Sequence, residues 1–213
     1  MEDLASYIDQ TLLAANATQK EIENLCAEAK QYKFYAVCVN SGNLKIARKY
    51  LDDSAVLIAA TIGFPLGASS TKSKITEAET AILDGADEID MVMNLGFFKD
   101  EKYEFVGSEI ESIKKAIGSK ILKVIIETCY LTDKEIGIAS EIVMNAGADF
   151  VKTSTGFGSR GASLKDVKIM KGVVGDKVKI KASGGIRDAE TAREYISLGV
   201  KRIGTSSGIK IIS

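Results

Sequence analysis

Two lysines stand where a lysine is costly to place. In FVKTSTGFG (150–158) a short apolar run takes in Lys152 and then opens into hydroxyls and glycines. In KIKASGG (179–185) Lys181 sits in a second such run. Burying an ammonium without a partner is unfavourable, so a lysine inside a strand is either paired or chemically used. An unperturbed lysine, with a pKa of ~10.4, is well under ~1% neutral at pH 7. Desolvation and a neighbouring cation lower that pKa and expose a nucleophilic amine. Such an amine attacks a carbonyl to form an imine. Side chains alternate along a strand. Lys152 therefore shares a face with Ser154, Lys181 with Lys179 and Ser183, and Asp90 with Val92 and Asn94. If these faces converge, the two lysines approach each other with Asp90 beside them.

Each of these residues also has a plainer reading. Lys123 and Lys179 read as surface residues near the starts of their strands. Asp90 taken alone reads as a solvated or capping aspartate. Cys38, in AVCVN, reads as a small buried hydrophobe, and Cys26 and Cys129 as structural. Glu127 is open between an interior partner for a lysine and a strand-end charge. The chain has no histidine, which removes His-based triads and His metal ligands. Its three cysteines are widely spaced, with no CxxC pair, so neither a zinc site nor a disulfide framework is expected. That usage fits a reducing cytoplasm.

The elements that position these residues follow from the apolar pattern. Runs rich in Val and Ile recur at 35–40, 56–62, 88–94, 122–128, 150–155, 178–183 and 202–205, and a short Tyr7-Ile8 segment leads into Asp9. They are nearly continuous, as strands buried on both faces are. Amphipathic stretches lie between them. Thr18 with Glu21 and Thr132 with Glu135 match the capping box, Ser163 with Asp166 is a looser version, and Asp188 is a candidate N-cap. Gly85, Gly147 and Gly199 mark helix ends. Each of the three starts a similar unit, GADEID, GADFVK and GVKRIG. Five residues past the glycine stand Asp90, Lys152 and Gly204. Eight alternating units with no linker predict a single α/β domain over residues 1–213, a (β/α)8 TIM barrel with right-handed crossovers. A doubly wound sheet is the alternative, but no GxGxxG follows an early strand.

In a barrel the site lies at the C-terminal ends of the strands, with phosphate sites often after strands seven and eight. Gly184-Gly185 and Ser206-Ser207 fall there. Gly- and Ser-rich turns of this kind present N–H groups and hydroxyls to an anion. Thr155 and Gly156 extend the same wall, and Arg187 is a possible counter-charge or a solvated helix residue. The surface is nearly balanced, with 28 Lys+Arg against 29 Asp+Glu, so no nucleic-acid or membrane-surface partner is expected. No apolar run is long enough to span a bilayer. The opening MEDLASYIDQ has no basic region, so no signal peptide is expected.

VKTSTGFG, KASGGIR, DEIDMVMNLG and KVIIETCYLT together resemble the deoxyribose-phosphate aldolase family in its short form, from about Tyr7 to Ser207. The resemblance implies a TIM barrel, a class I aldolase with no metal or cofactor, and a cytoplasmic homo-oligomer, often a dimer. Its substrates would be small phosphosugars and aldehydes, with 2-deoxy-D-ribose 5-phosphate cleaved reversibly to D-glyceraldehyde 3-phosphate and acetaldehyde. It further implies Lys152 as the imine-forming lysine, Lys181 as the lysine that perturbs it, and Asp90 as the acid. Asp9, Cys38 and Thr155 become pocket residues, and Gly184, Gly185, Ser206 and Ser207 phosphate-binding residues. Some relatives carry a tail ending in a tyrosine that reaches the site. This sequence reads Ile211-Ile212-Ser213 there, so water is expected to take that part. The segment after Ser207 also looks short, which leaves closure of the barrel wall open. Other lysine-imine phosphosugar aldolases, and a non-catalytic phosphometabolite-binding barrel, are the alternative readings.

Overall fold

A computed structural model describes residues 3–213. After a single 3-10 turn, eight parallel strands close in sequence order into a barrel: β1 Ile8–Leu12, β2 Ala36–Asn40, β3 Leu57–Ile62, β4 Glu88–Val92, β5 Ile121–Ile125, β6 Phe150–Lys152, β7 Lys179–Ser183 and β8 Arg202–Thr205. The helices are α1 Gln19–Tyr32, α2 Leu44–Leu51, α3 Thr71–Leu83, α4 Leu95–Lys99, α5 Tyr103–Ile117, α6 Asp133–Asn145, α7 Leu164–Val174, α8 Ala189–Ser197 and α9 Gly208–Ile212. This is the TIM barrel expected from the sequence.

Four helices, α1, α6, α7 and α8, start where the sequence places a cap. Thr18 and Thr132 each accept from the amide three residues on while Glu21 and Glu135 reach back, completing two capping boxes. Ser163 and Asp188 cap α7 and α8 by accepting from the amides of Asp166 and Thr191, without the reciprocal bond. Gly85, Gly147 and Gly199 have positive φ, and each stands three residues before a strand begins. α9 is short, yet β1 pairs with β8 through Asp9 and Gly204. Gly208 also donates to the Gln10 side chain at 3.1 Å, so the wall closes.

The strands divide two environments. Ile89 and Met91 on β4 with Met93 just past it, and Leu122 and Val124 on β5 with Ile126 just past it, point outward into one continuous core shared with the helices. The alternate residues, Glu88, Asp90 and Lys123, are buried on the other side. The barrel interior thus carries a buried ionic cluster, beside a small apolar cluster of Leu13, Cys38 and Ala59 under Phe64. Several strands are shorter at their C-terminal ends than the apolar runs. β4 stops at Val92 because Asn94 caps α4, accepting from Phe97. It therefore serves the helix and does not share the Asp90 face as the alternation suggests. β5 stops at Ile125, and Glu127 turns left-handed at φ 50°.

Candidate active site

Lys152 is the last residue of β6 and pairs in register with Lys181 on β7. Asp90 comes from β4 and Asp9 from β1. All four side chains are buried, and only Lys152 keeps a trace of exposure, 3%. It is also the only one of the four that lines the cleft at the C-terminal mouth, a space of about 450 Å³. A larger hollow beside α3, lined by Ser41, Ser70 and Glu77, lies away from these lysines.

The two lysines meet through a carboxylate. Oδ2 of Asp90 accepts from Lys152 at 2.7 Å and from Lys181 at 2.8 Å. Oδ1 of Asp90 accepts from Lys123 at 2.7 Å. Lys181 also donates to Oδ2 of Asp9. Lys123 is therefore a fully buried interior cation, which corrects its reading as a surface residue. The signal was present in ILKVI: Lys123 lies between two outward-facing core residues, as Lys152 follows Val151. Lys179 does stand exposed at its strand start, over the Phe150 ring. Gly204, the third member of the repeat, leaves room for Lys181. A Cβ there would lie 3.2 Å from Lys181 Cε and 2.9 Å from Ser183 Cβ.

Burial and charge act differently on the two lysines. Burial, with the Lys181 charge adding to it, holds Lys152 below the ordinary lysine pKa, against the pull of Asp90. Burial also disfavours the charged form of Lys181, but Asp9 and Asp90 outweigh it and raise its pKa. Lys181 is thus the more firmly held cation and Lys152 the easier of the two to deprotonate. Asp90, despite burial, is held well below the carboxylate range by Lys123, Lys152 and Lys181. Burial pushes the Cys38 thiol up, so it stays protonated.

Around the mouth the cleft is lined by Thr155, Gly184, Gly185, Arg187, Ser206 and Ser207. Gly184 and Gly185 both have φ of 84°, a conformation that suits glycine. Gly161 packs so closely on the Gly184 backbone that a Cβ would lie 2.2 Å from its carbonyl oxygen. Asp9, Cys38, Asp90 and Lys181 lie beneath the cleft floor, outside its lining. Glu127, left open by the sequence, partners no lysine. Its carboxylate accepts from the Thr155 amide at 3.2 Å and from the Thr155 hydroxyl. The Thr155 hydroxyl in turn accepts from Phe157 N–H at 3.0 Å. Glu127 thereby fixes the wall that follows Lys152.

A parallel barrel with a lysine of lowered proton affinity on its cleft floor and a lysine–aspartate pair beneath it has the parts of an imine-forming lysine aldolase. The match to the DeoC/LacD family aldolases spans residues 4–212, and the chain belongs to that family. A deoxyribose-phosphate aldolase of Mycoplasmopsis pulmonis is 55% identical over 210 residues, covering 99% of this chain and 96% of that one. One of Thermococcus kodakarensis is 53% identical over 215 residues, covering 99% and 96%. Among solved structures, the aldolase QR15 superposes with a TM-score of 0.96 at 47% identity, covering 100% of this chain and 95% of that one. A deoxyribose phosphate aldolase from Aeropyrum pernix, described as tetrameric, gives 0.91 at 34% identity over 98% and 89%.

Proposed function

We infer that this protein is a deoxyribose-phosphate aldolase that works through an imine on Lys152. The observation that carries the reading is the placement of Lys152: one carboxylate partner, a lowered proton affinity, and the only ammonium of the buried cluster that lines the cleft. Neutral Lys152 Nζ attacks C1 of the open-chain sugar phosphate, and the carbinolamine takes up one proton from the site and loses water to give a protonated imine. The C3 hydroxyl proton passes to a water served by the Asp90–Lys181 pair. The C2–C3 bonding electrons move toward the imine, leaving an enamine, and D-glyceraldehyde 3-phosphate departs. Protonation of the enamine at its terminal carbon and hydrolysis release acetaldehyde and regenerate the amine.

Gly184, Gly185, Ser206 and Ser207 take the phosphate, with Arg187 as counter-charge. Two amides of this turn are already occupied, Ser207 by Thr205 Oγ1 and Gly208 by Gln10, so the serine hydroxyls carry much of the contact. Asp9 acts through Lys181, and Thr155 and Cys38 shape the pocket. Residues 1–213 act as one domain. A cytoplasmic location fits three free cysteines, Cys26, Cys38 and Cys129; no helix among the described residues is long and apolar enough to cross a membrane. A homodimer is the assembly we expect. The direct assay is cleavage of 2-deoxy-D-ribose 5-phosphate, read by appearance of glyceraldehyde 3-phosphate. Absence of that product with the barrel intact would reject the reading in favour of another phosphosugar.

A further inference from the structure

Seven charged side chains fill the barrel interior, and six of them close into a ring. Asp90 Oδ1 accepts from Lys123 at 2.7 Å. Lys123 lies 2.6 Å from Oε2 of Glu88, an ion pair without hydrogen-bond alignment. Oε1 of Glu88 accepts from Arg202 at 2.5 Å, and Arg202 reaches Oδ1 of Asp9 at 2.5 Å. Asp9 Oδ2 accepts from Lys181, and Lys181 returns to Asp90 at 2.8 Å. Acids and cations alternate, three of each, so the charged ring is neutral. Arg202 is covered from the strand-start side by Tyr35, whose ring centroid is 3.3 Å from the guanidinium carbon.

Lys152 is the seventh charge and hangs outside the ring. Every ring cation reaches at least two carboxylates, and Lys123 has a third in Asp9 at 3.9 Å. Lys152 has one, Asp90 Oδ2, which already serves Lys181. Protonated, Lys152 gives the buried cluster an excess positive charge; neutral, it leaves the cluster balanced. Uncompensated buried charge is strongly unfavourable.

We propose that Glu88, Lys123 and Arg202, which lie below the cleft and never touch substrate, set the protonation of Lys152 through the charge balance of this ring. They are positioning residues for the imine chemistry, and the proposal rests on the imine reading above. Lys123 draws part of the Asp90 charge away from Lys152. Glu88 in turn draws Lys123 and Arg202 away from Asp90 and Asp9. The groups around Lys152 are Asp9 from β1, the protonated Cys38 from β2, Asp90 and Glu88 from β4, Lys123 from β5, Lys181 from β7 and Arg202 from β8; β3 supplies no charge.

Opposite signs test it. The acid limb of the kcat/KM profile reports deprotonation of Lys152 in the free enzyme. In Lys123→Met, Asp90 holds the Lys152 proton more tightly, and the limb moves up by about one pH unit. In Glu88→Gln, Lys123 leans wholly on Asp90, and the limb moves down by about one unit. The double variant Lys123→Met/Glu88→Gln removes one charge of each sign and returns close to the parent. A merely structural ring would lower activity without displacing the limbs in opposite directions. Limbs that stay put, or move the same way, overturn the proposal. If Lys123→Met does not fold, Glu88→Gln and the double variant decide alone: a limb lowered in the first and restored in the second supports it, any other pattern overturns it. Borohydride trapping of acetaldehyde on the parent protein runs in parallel. Failure to label Lys152 there would reject the imine reading itself, whereas labelling with unmoved limbs would reject only the ring.

Discussion

Lys152 and Lys181 both donate to one oxygen, Oδ2 of Asp90, at 2.7 and 2.8 Å. They are brought together on a shared acid, from register-paired positions of neighbouring strands. That geometry separates the two lysines: Lys181 has a second carboxylate in Asp9, while Lys152 has Asp90 alone.

Asp90→Asn should therefore be the most damaging change outside Lys152 itself. An amide cannot neutralise the three ammonium groups around it. kcat/KM should fall by roughly 10²–10⁴, and unfolding should become easier by about 3–5 kcal/mol, the cost of breaking a buried ion pair from one side. Steady-state kinetics and denaturant unfolding check both. Turnover within tenfold of the parent would remove Asp90 from the account.

Acid stability carries the signature of Asp9. Burial raises its carboxyl, but Lys181, Arg202 and Lys123 outweigh burial and bring it from 3.8 to about 2. A carboxyl with a lowered folded pKa binds fewer protons folded than unfolded. Its contribution is complete above about pH 4 and is lost as pH falls toward 2, worth about 2 kcal/mol. Asp90 shifts in the same direction. Unfolding midpoints between pH 5 and 2 should fall less steeply in Asp9→Asn than in the parent.

The two serines of the last turn should matter only to a phosphorylated substrate. Ser206→Ala and Ser207→Ala should each raise KM for 2-deoxy-D-ribose 5-phosphate roughly tenfold, the scale of a hydrogen bond to a charged group. kcat should hold, and turnover of unphosphorylated deoxyribose should be unchanged. Equal effects on both sugars would place the phosphate elsewhere.

Glu127→Ala should separate binding from chemistry. It releases the Thr155 amide and hydroxyl and so loosens the wall through Phe157. KM for the phosphosugar should rise several-fold, while acetaldehyde still forms an imine on Lys152. Loss of imine formation in this variant would show that Glu127 supports the nucleophile itself.

Seven strands and four capped helix starts were legible because each is a local signal: an apolar run, a Thr followed by Glu three residues on, a glycine where φ must be positive. Of β1 only Tyr7-Ile8 was read, because Asp9, Gln10 and Thr11 interrupt its apolar run. Lys152, Lys181 and Asp90 were legible because period-2 alternation puts them on one face, and the family resemblance then gave them roles. Lys123 obeys the same alternation in ILKVI but carries no flanking glycine or hydroxyl, so it passed for a surface residue. Glu88 and Arg202 were hidden for a different reason. Their partners lie 114 residues apart in one case and, between Arg202 and Asp9, 193 in the other, and only barrel closure brings them together. The strand ends were overextended because Asn94 and Glu127 leave the sheet to serve a helix and a loop, and both are compatible with a strand by type.

The most direct test is to incubate the protein with acetaldehyde, reduce with borohydride and locate the adduct by peptide mass spectrometry. The account predicts a single ethyl group on Lys152, lost in Lys152→Ala while the barrel remains folded. An adduct on Lys181, or one scattered over surface lysines, would contradict it.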